Sequence, residues 1–174
     1  LLVSLYSDAY KLTQNTLYKE VIEKTLQFVS RELVNAENGF YCALDADSLD
    51  NDGHLEEGAF YVWKKSDLEK IIKEDFPLFS QVFNINAFGF WENNNYVLIQ
   101  NQELKTIAKT NNLELSELKT KKENWEKLLF IEREKRSKPR LDDKSLTSWN
   151  AIMLKGYVDA YKALRSEEHT SELQ

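Results

Sequence analysis

Apolar residues recur at helical spacing from the start of the chain. Leu1, Leu2, Leu5, Tyr6, Ala9 and Leu12 fall three or four apart and predict a helix over residues 1–12. After a polar break at 13–16, the residues Leu17, Val21, Ile22, Thr25, Leu26, Phe28, Val29 and Leu33 give a second helix, 17–34, with one broad apolar face. Two helices joined by so short a loop form an αα-hairpin. Asn38 and Gly39 stop the second helix, and the pattern changes to short aromatic and apolar runs at 40–44 and 60–63, each just after a glycine. These two runs are expected to pair as a β-hairpin around a long acidic loop containing Asp45, Asp47, Asp50, Asp52, Glu56 and Glu57. Helical spacing then returns. Ser66 and Glu69 read as a capping box opening a helix to about residue 74, and Pro77 opens a segment over 78–83. Residues 88–92 and 96–99 read as a partly extended excursion. A brief helix over 103–109 ends at Asn111 and Asn112. A long helix, 115–135, carries Leu118, Trp125, Leu128, Leu129 and Glu132 on one side. The last helix, from about 145, carries Leu146, Trp149, Met153, Tyr157, Ala160, Tyr161 and Leu164.

Composition narrows the class without naming it. With 42% hydrophobic and 30% charged residues, the chain can bury a core under a charged surface. No apolar run approaches the roughly 20 residues that a membrane helix needs. The net charge of -6 offers no general attraction to nucleic acid. Arg133, Lys135, Arg136, Lys138 and Arg140 do cluster at a helix end, where they complement its dipole, but Glu132 and Glu134 dilute them. A solvated face is therefore expected there, and no nucleic-acid or membrane partner. The one cysteine, Cys42, cannot form an internal disulfide and is expected to be a small buried residue. A zinc site or a Ser-His-Asp triad lacks ligands. An EF-hand with Gly53 sixth would put Ser48 first and Ala59 twelfth and is rejected, which leaves an irregular cation site as the minor alternative to the expectation of no metal and no cofactor. The chain begins without methionine inside a helical pattern, and residues 165–174, RSEEHTSELQ, are the one-frame translation of a common sequencing-library adapter. Both ends read as cut. Residues 1–164 are expected to be a partial domain and 165–174 a non-native tail, whose removal leaves His54 as the one histidine and a charge of -4.

The candidate chemistry gathers in residues 136–150, RSKPRLDDKSLTSWN. Pro139 breaks the long helix before it, and Asp142 and Asp143 can cap the last helix; Lys144, Trp149 and Asn150 add a charge, an aromatic plate and an amide. Capping and an internal Asp143–Lys144 ion pair form the bland reading; a polar cavity wall is the sharper one. Asn150 falls on the apolar stripe, so its amide needs Asp143, Lys144 or a ligand as partner. Asp45 and Asp47, two apart at a strand end, could face one site as the carboxylate pair that glycoside hydrolysis requires, or could be ordinary loop acids. Trp63 and Trp149 are either core residues or plates for the C–H face of a sugar.

Two motifs carry a family resemblance. The segment Pro139, Asp142, Asp143, Lys144, Leu146, Thr147, Ser148, Trp149, Asn150, and the pair GFYCALDADS at 39–48 with GAFYVW at 58–63, resemble proteins in which a thioredoxin-like domain precedes an (α/α) toroid. These toroids are similar to those of sugar 2-epimerases and six-hairpin glycosidases, and the family includes the spermatogenesis-associated thioredoxin-like proteins. The resemblance runs over about residues 1–164. Cys42 stands where serine is usual, Ala151 where glycine is usual, and the loop 49–54 has its own sequence. It implies a mainly α fold, an incomplete (α/α) toroid of helical hairpins with a small β-hairpin insertion, in a cytoplasmic protein. It also implies a sugar ligand, with Asp143, Asp45 and Asp47 in catalytic roles and Lys144, Trp149, Asn150, Trp63 and Glu57 as substrate contacts. Sugar 2-epimerases use histidines as acid and base, and His54 alone is available here. The rival reading is a non-catalytic scaffold for the thioredoxin-like domain, which would lie outside this chain.

Overall fold

A computed structural model describes residues 1–50 and 52–171, with side chains described up to residue 165. The helices are α1 (Leu2–Thr13), α2 (Thr16–Glu32), α3 (Lys65–Ile72), α4 (Phe76–Phe83), α5 (Leu104–Thr110), α6 (Leu115–Arg133) and α7 (Thr147–Ser171). Between them lie the short strands β1 (Ala43–Leu44), β2 (Asp47–Leu49), β3 (Leu55–Glu57), β4 (Trp63–Lys64), β5 (Asn95–Tyr96) and β6 (Leu141–Asp142). The molecule is thus mainly helical with small two-stranded antiparallel sheets. No described helix is long and apolar enough to cross a membrane. Two compact units result: Leu1–Leu44 with the chain from Leu141 onward, and Asp45–Arg140. The expectation for the tail 165–174 falls mostly outside the described side chains.

In the first unit, α1 and α2 form the expected hairpin, and α7 packs against α1. Asn15 caps α2 by accepting the Leu17 N–H at 3.0 Å. The buried face of α1 is not the leucine stripe. Val3, Ser7 and Tyr10 are buried against Ile22 of α2 and Ala160 and Ala163 of α7, whereas Leu2 is 65% and Leu12 86% exposed. The small residues decide this. Ala160, Ala163 and Gly156 let α7 approach closely, and a Cβ at Gly156 would sit 3.6 Å from Val3 Cβ. The Ser7 hydroxyl, buried in this contact, donates to the Val3 carbonyl at 2.7 Å. On α7 the buried residues are Gly156, Ala160 and Ala163, while Leu146, Trp149 and Tyr161 face solvent, against the expected stripe.

The expected pairing of 40–44 with 60–63 does not occur. Ala43–Leu44 pair instead with Leu141–Asp142, within the first unit. In the second unit the acidic loop makes its own hairpin, Asp47–Leu49 against Leu55–Glu57, and Trp63–Lys64 pair with Asn95–Tyr96. Turn chemistry explains the change. Asp50 Oδ1 accepts the N–H groups of Asp52 at 2.9 Å and His54 at 2.8 Å, and Gly53 supplies φ +83°. The hairpin is locked to the next turn by Ser48, which is buried and accepts the Phe60 N–H at 2.9 Å.

The rest of the second unit packs around Phe79, whose ring meets Phe83 at 4.9 Å and the edge of Trp125 at 5.6 Å. Strand β4 runs directly into α3, so Lys64 occupies the N-cap position and Ser66 lies inside the helix, not at its cap. On α6, Leu118, Lys122, Trp125 and Leu129 form the buried side, while Leu128 is 45% exposed. Gly89 is fixed by sterics: a Cβ there would meet the Asn84 carbonyl oxygen at 2.2 Å.

Candidate functional site

The segment leading into α7 presents its residues unequally. Asp142 lies in β6, and its carboxylate accepts the Lys144 backbone N–H at 3.4 Å and pairs with Lys144 Nζ at 3.0 Å. That carboxylate raises the Lys144 pKa above its usual value. Lys144 therefore pairs with Asp142, not Asp143. Asp143 and Lys144 are exposed, and Trp149 is 52% exposed. Asn150 finds its partners in the backbone. Its Oδ1 accepts the Phe40 N–H at 2.8 Å, and its Nδ2 donates to the Phe40 and Leu146 carbonyls at 3.0 Å each and to Ser145 Oγ at 3.2 Å. It thereby ties the GFYCALDADS motif to the helix start; the expected partners Asp143 and Lys144 are not used. Cys42 in the same motif is half-buried rather than buried, and its N–H donates to the Lys144 carbonyl at 2.9 Å.

The remaining predicted residues lie in the second unit. Asp45 precedes β2; it is exposed, and its carboxylate lies 3.9 Å from Arg140 Nε. Asp47 and Glu57 are directly opposed across the β2–β3 hairpin, two like charges on one face. Trp63 is only 4% exposed and belongs to the core, with the Arg136 guanidinium 3.9 Å from its ring centroid.

Arg136 is the residue that sequence reasoning missed. It donates to the carbonyls of Val62 at 2.7 Å, Phe60 at 3.0 Å and Ala59 at 3.4 Å, all inside GAFYVW. Burial lowers its pKa. The signal was present in that motif: aromatic residues in a turn bury carbonyls that lack a ladder partner and must recruit a donor. Within the basic cluster Lys135, Lys138 and Arg140 are exposed, as a solvated face requires, whereas Arg133 and Arg136 are half-buried. Arg133 lies over the Phe60 and Tyr61 rings, Lys135 pairs with Glu132, and Lys138 with Glu134.

These contacts frame a polar cleft of about 470 Å³, whose walls include Asp50, Asp52, Glu56, Lys64, Asn93 and Asn95 over a floor at Arg136. An adjoining hollow of about 280 Å³ shares Glu56, Asn93 and Asn95 and adds Glu57, Trp91 and Glu92. Among the described residues, no group of three or more His, Cys, Asp or Glu side chains is placed to hold a metal ion.

The class these features define is a mainly helical protein with short antiparallel sheets and solvent-facing polar surfaces in each unit. The chain is 31% identical over 173 residues to human spermatogenesis-associated protein 20, covering 88% of this chain and 22% of that protein. It is 29% identical to spermatogenesis-associated protein 20 of Mus musculus, over 94% of this chain and 23% of the relative. An uncharacterised protein of Caenorhabditis elegans is 28% identical over 97% of this chain and 26% of its own length. The chain thus spans about a quarter or less of the length of these relatives. No family model matches it.

Proposed function

We propose that this chain is part of a carbohydrate-binding, and carbohydrate-modifying, (α/α) toroid domain within a longer protein. The observation that carries this reading is the start of α7. Within eight residues, Asp143, Lys144 and Trp149 all reach solvent, while Asn150 holds the backbone they stand on. An indole half out of water forfeits about half of the roughly 1.5–3 kcal/mol that full burial of a large apolar side chain is worth, a cost a bound sugar's C–H face would recover. Around such a plate, a carboxylate accepts hydroxyl hydrogen bonds and an ammonium donates them, fixing the ring's orientation. In the second unit, Asp45 and Asp47 are the carboxylates proposed for acid–base work, with Glu57, opposite Asp47, as a contact to substrate.

Thermal-shift screening of the full-length protein against a saccharide panel tests this. At least one saccharide should raise the melting temperature, and Asp143→Ala and Trp149→Ala should each abolish the rise. No response to any saccharide contradicts the reading. The rival is a non-catalytic scaffold for a thioredoxin-like domain elsewhere in the longer protein. The apolar faces that α1 and α7 leave exposed, Leu2, Leu5 and Leu12 on one and Ile152, Leu154 and Val158 on the other, favour an assembly role. That reading predicts silence in the same screen.

A further inference from the structure

We infer that the paired hollows of the second unit form a subsite for an unphosphorylated sugar, neutral or amine-bearing, seated against Trp91. This rests on the carbohydrate reading above and names the substrate class.

The walls divide into groups already engaged and groups left free. Arg136 is taken up by three carbonyls and the Trp63 ring. The Asp50 carboxylate holds the turn of the β2–β3 hairpin, and Lys135 is held by Glu132 at 2.6 Å. Among the described residues, the side chains of Asp52, Glu56, Glu57, Glu92, Asn93, Asn95 and Lys64 make no hydrogen bond or ion pair. The cleft thus carries the free carboxylates of Asp52 and Glu56 beside one free ammonium, Lys64, and the adjoining hollow carries those of Glu56, Glu57 and Glu92 with no cation. The local field is negative, which repels a phosphate ester and admits hydroxyls or an amine. Carboxylates accept paired hydrogen bonds from neighbouring hydroxyls, and the two asparagine amides supply both donors and acceptors.

Trp91 supplies the apolar contact. It is 47% exposed and lines the outer hollow, and its backbone N–H donates to the Asn95 carbonyl at 2.8 Å. The loop between is thereby closed on β5, so the indole and the asparagines are presented from one fixed turn. An indole beside uncommitted carboxylates and amides matches the amphipathic surface of a pyranose.

Titration of the full-length protein with neutral hexoses, hexosamines and hexose 6-phosphates, monitored by saturation-transfer NMR and calorimetry, tests the assignment. A neutral hexose or hexosamine should bind, and its 6-phosphate at least tenfold more weakly. Trp91→Ala and the isosteric Glu56→Gln should each weaken binding about tenfold; both sites are at the surface, and unchanged far-UV circular dichroism would verify folding. Equal affinity for the 6-phosphate overturns the proposal. So does binding that Asp143→Ala abolishes while Trp91→Ala and Glu56→Gln leave it unchanged, an outcome that spares the carbohydrate reading. Absence of all sugar binding overturns both.

Discussion

Single side chains do more structural work here than their residue types advertise. Asn150 bonds both the N–H and the carbonyl of Phe40, 110 positions away in sequence. Asn150→Ala leaves that N–H without its partner and should destabilise the first unit by about 1–3 kcal/mol, measured by urea unfolding; an unchanged midpoint would refute the tie. Asp75 joins Lys121 at 2.8 Å and the buried Trp125 Nε1 at 3.1 Å. The Lys121 hydrogen bond lowers the Asp75 pKa below 3.8, and the same bond raises the Lys121 pKa above 10.5. A depressed carboxyl contributes stability that is present above its unfolded pKa and lost as pH falls through the folded one; a raised ammonium contributes below its unfolded pKa and loses it as pH rises through the folded one. Asp75→Ala should therefore cost about 1–3 kcal/mol at neutral pH and flatten the acid limb below 3.8 and the alkaline limb above 10.5 in the stability profile. A variant whose pH profile matches the parent would rule this out. The need of Asn150 for partners was legible in the sequence, but their identity was not: a backbone group 110 residues distant leaves no mark in local spacing.

At the scale of elements, helical periodicity placed α1, α2, α5 and α6 to within two residues of their observed ends. Which face is buried was another matter. Helix α1 is apolar on two sides, and periodicity ranks the leucine side first by hydrophobicity, whereas the close approach of Gly156, Ala160 and Ala163 selects the side of Val3 and Tyr10. The strand pairing failed for a related reason. Asp52 and Gly53 are a tight-turn signal, but the flanking strands carry acids where alternating hydrophobics would have advertised a hairpin. Ser48, at the centre of that hairpin, should reveal its weight on substitution. Ser48→Ala removes the acceptor for the buried Phe60 N–H and should lower stability by about 1–3 kcal/mol. Gly89→Ala should cost a similar roughly 1–3 kcal/mol or more, since the added carbon would overlap the Asn84 carbonyl. Differential scanning calorimetry checks both, and wild-type melting temperatures would contradict the packing described.

Across the whole molecule, two units each have their own apolar cluster, and the first leaves Leu2, Leu5, Leu12, Ile152, Leu154 and Val158 exposed. Each such side chain forgoes a share, in proportion to its exposure, of the roughly 1.5–3 kcal/mol that full burial would contribute. Residues 1–164 expressed alone should bind a hydrophobic dye and self-associate in light scattering; a monomer that ignores the dye and unfolds cooperatively at high temperature would contradict this. The carbohydrate reading itself came through motif resemblance and through the exposure of Trp149, and only the second of these is physical. Its most direct test is an experimental structure of the full-length protein soaked with the saccharide that stabilises it most. Sugar density is expected against the Trp149 indole within hydrogen-bonding reach of Asp143. Density confined elsewhere, with Trp149 bare or buried under protein, would contradict it.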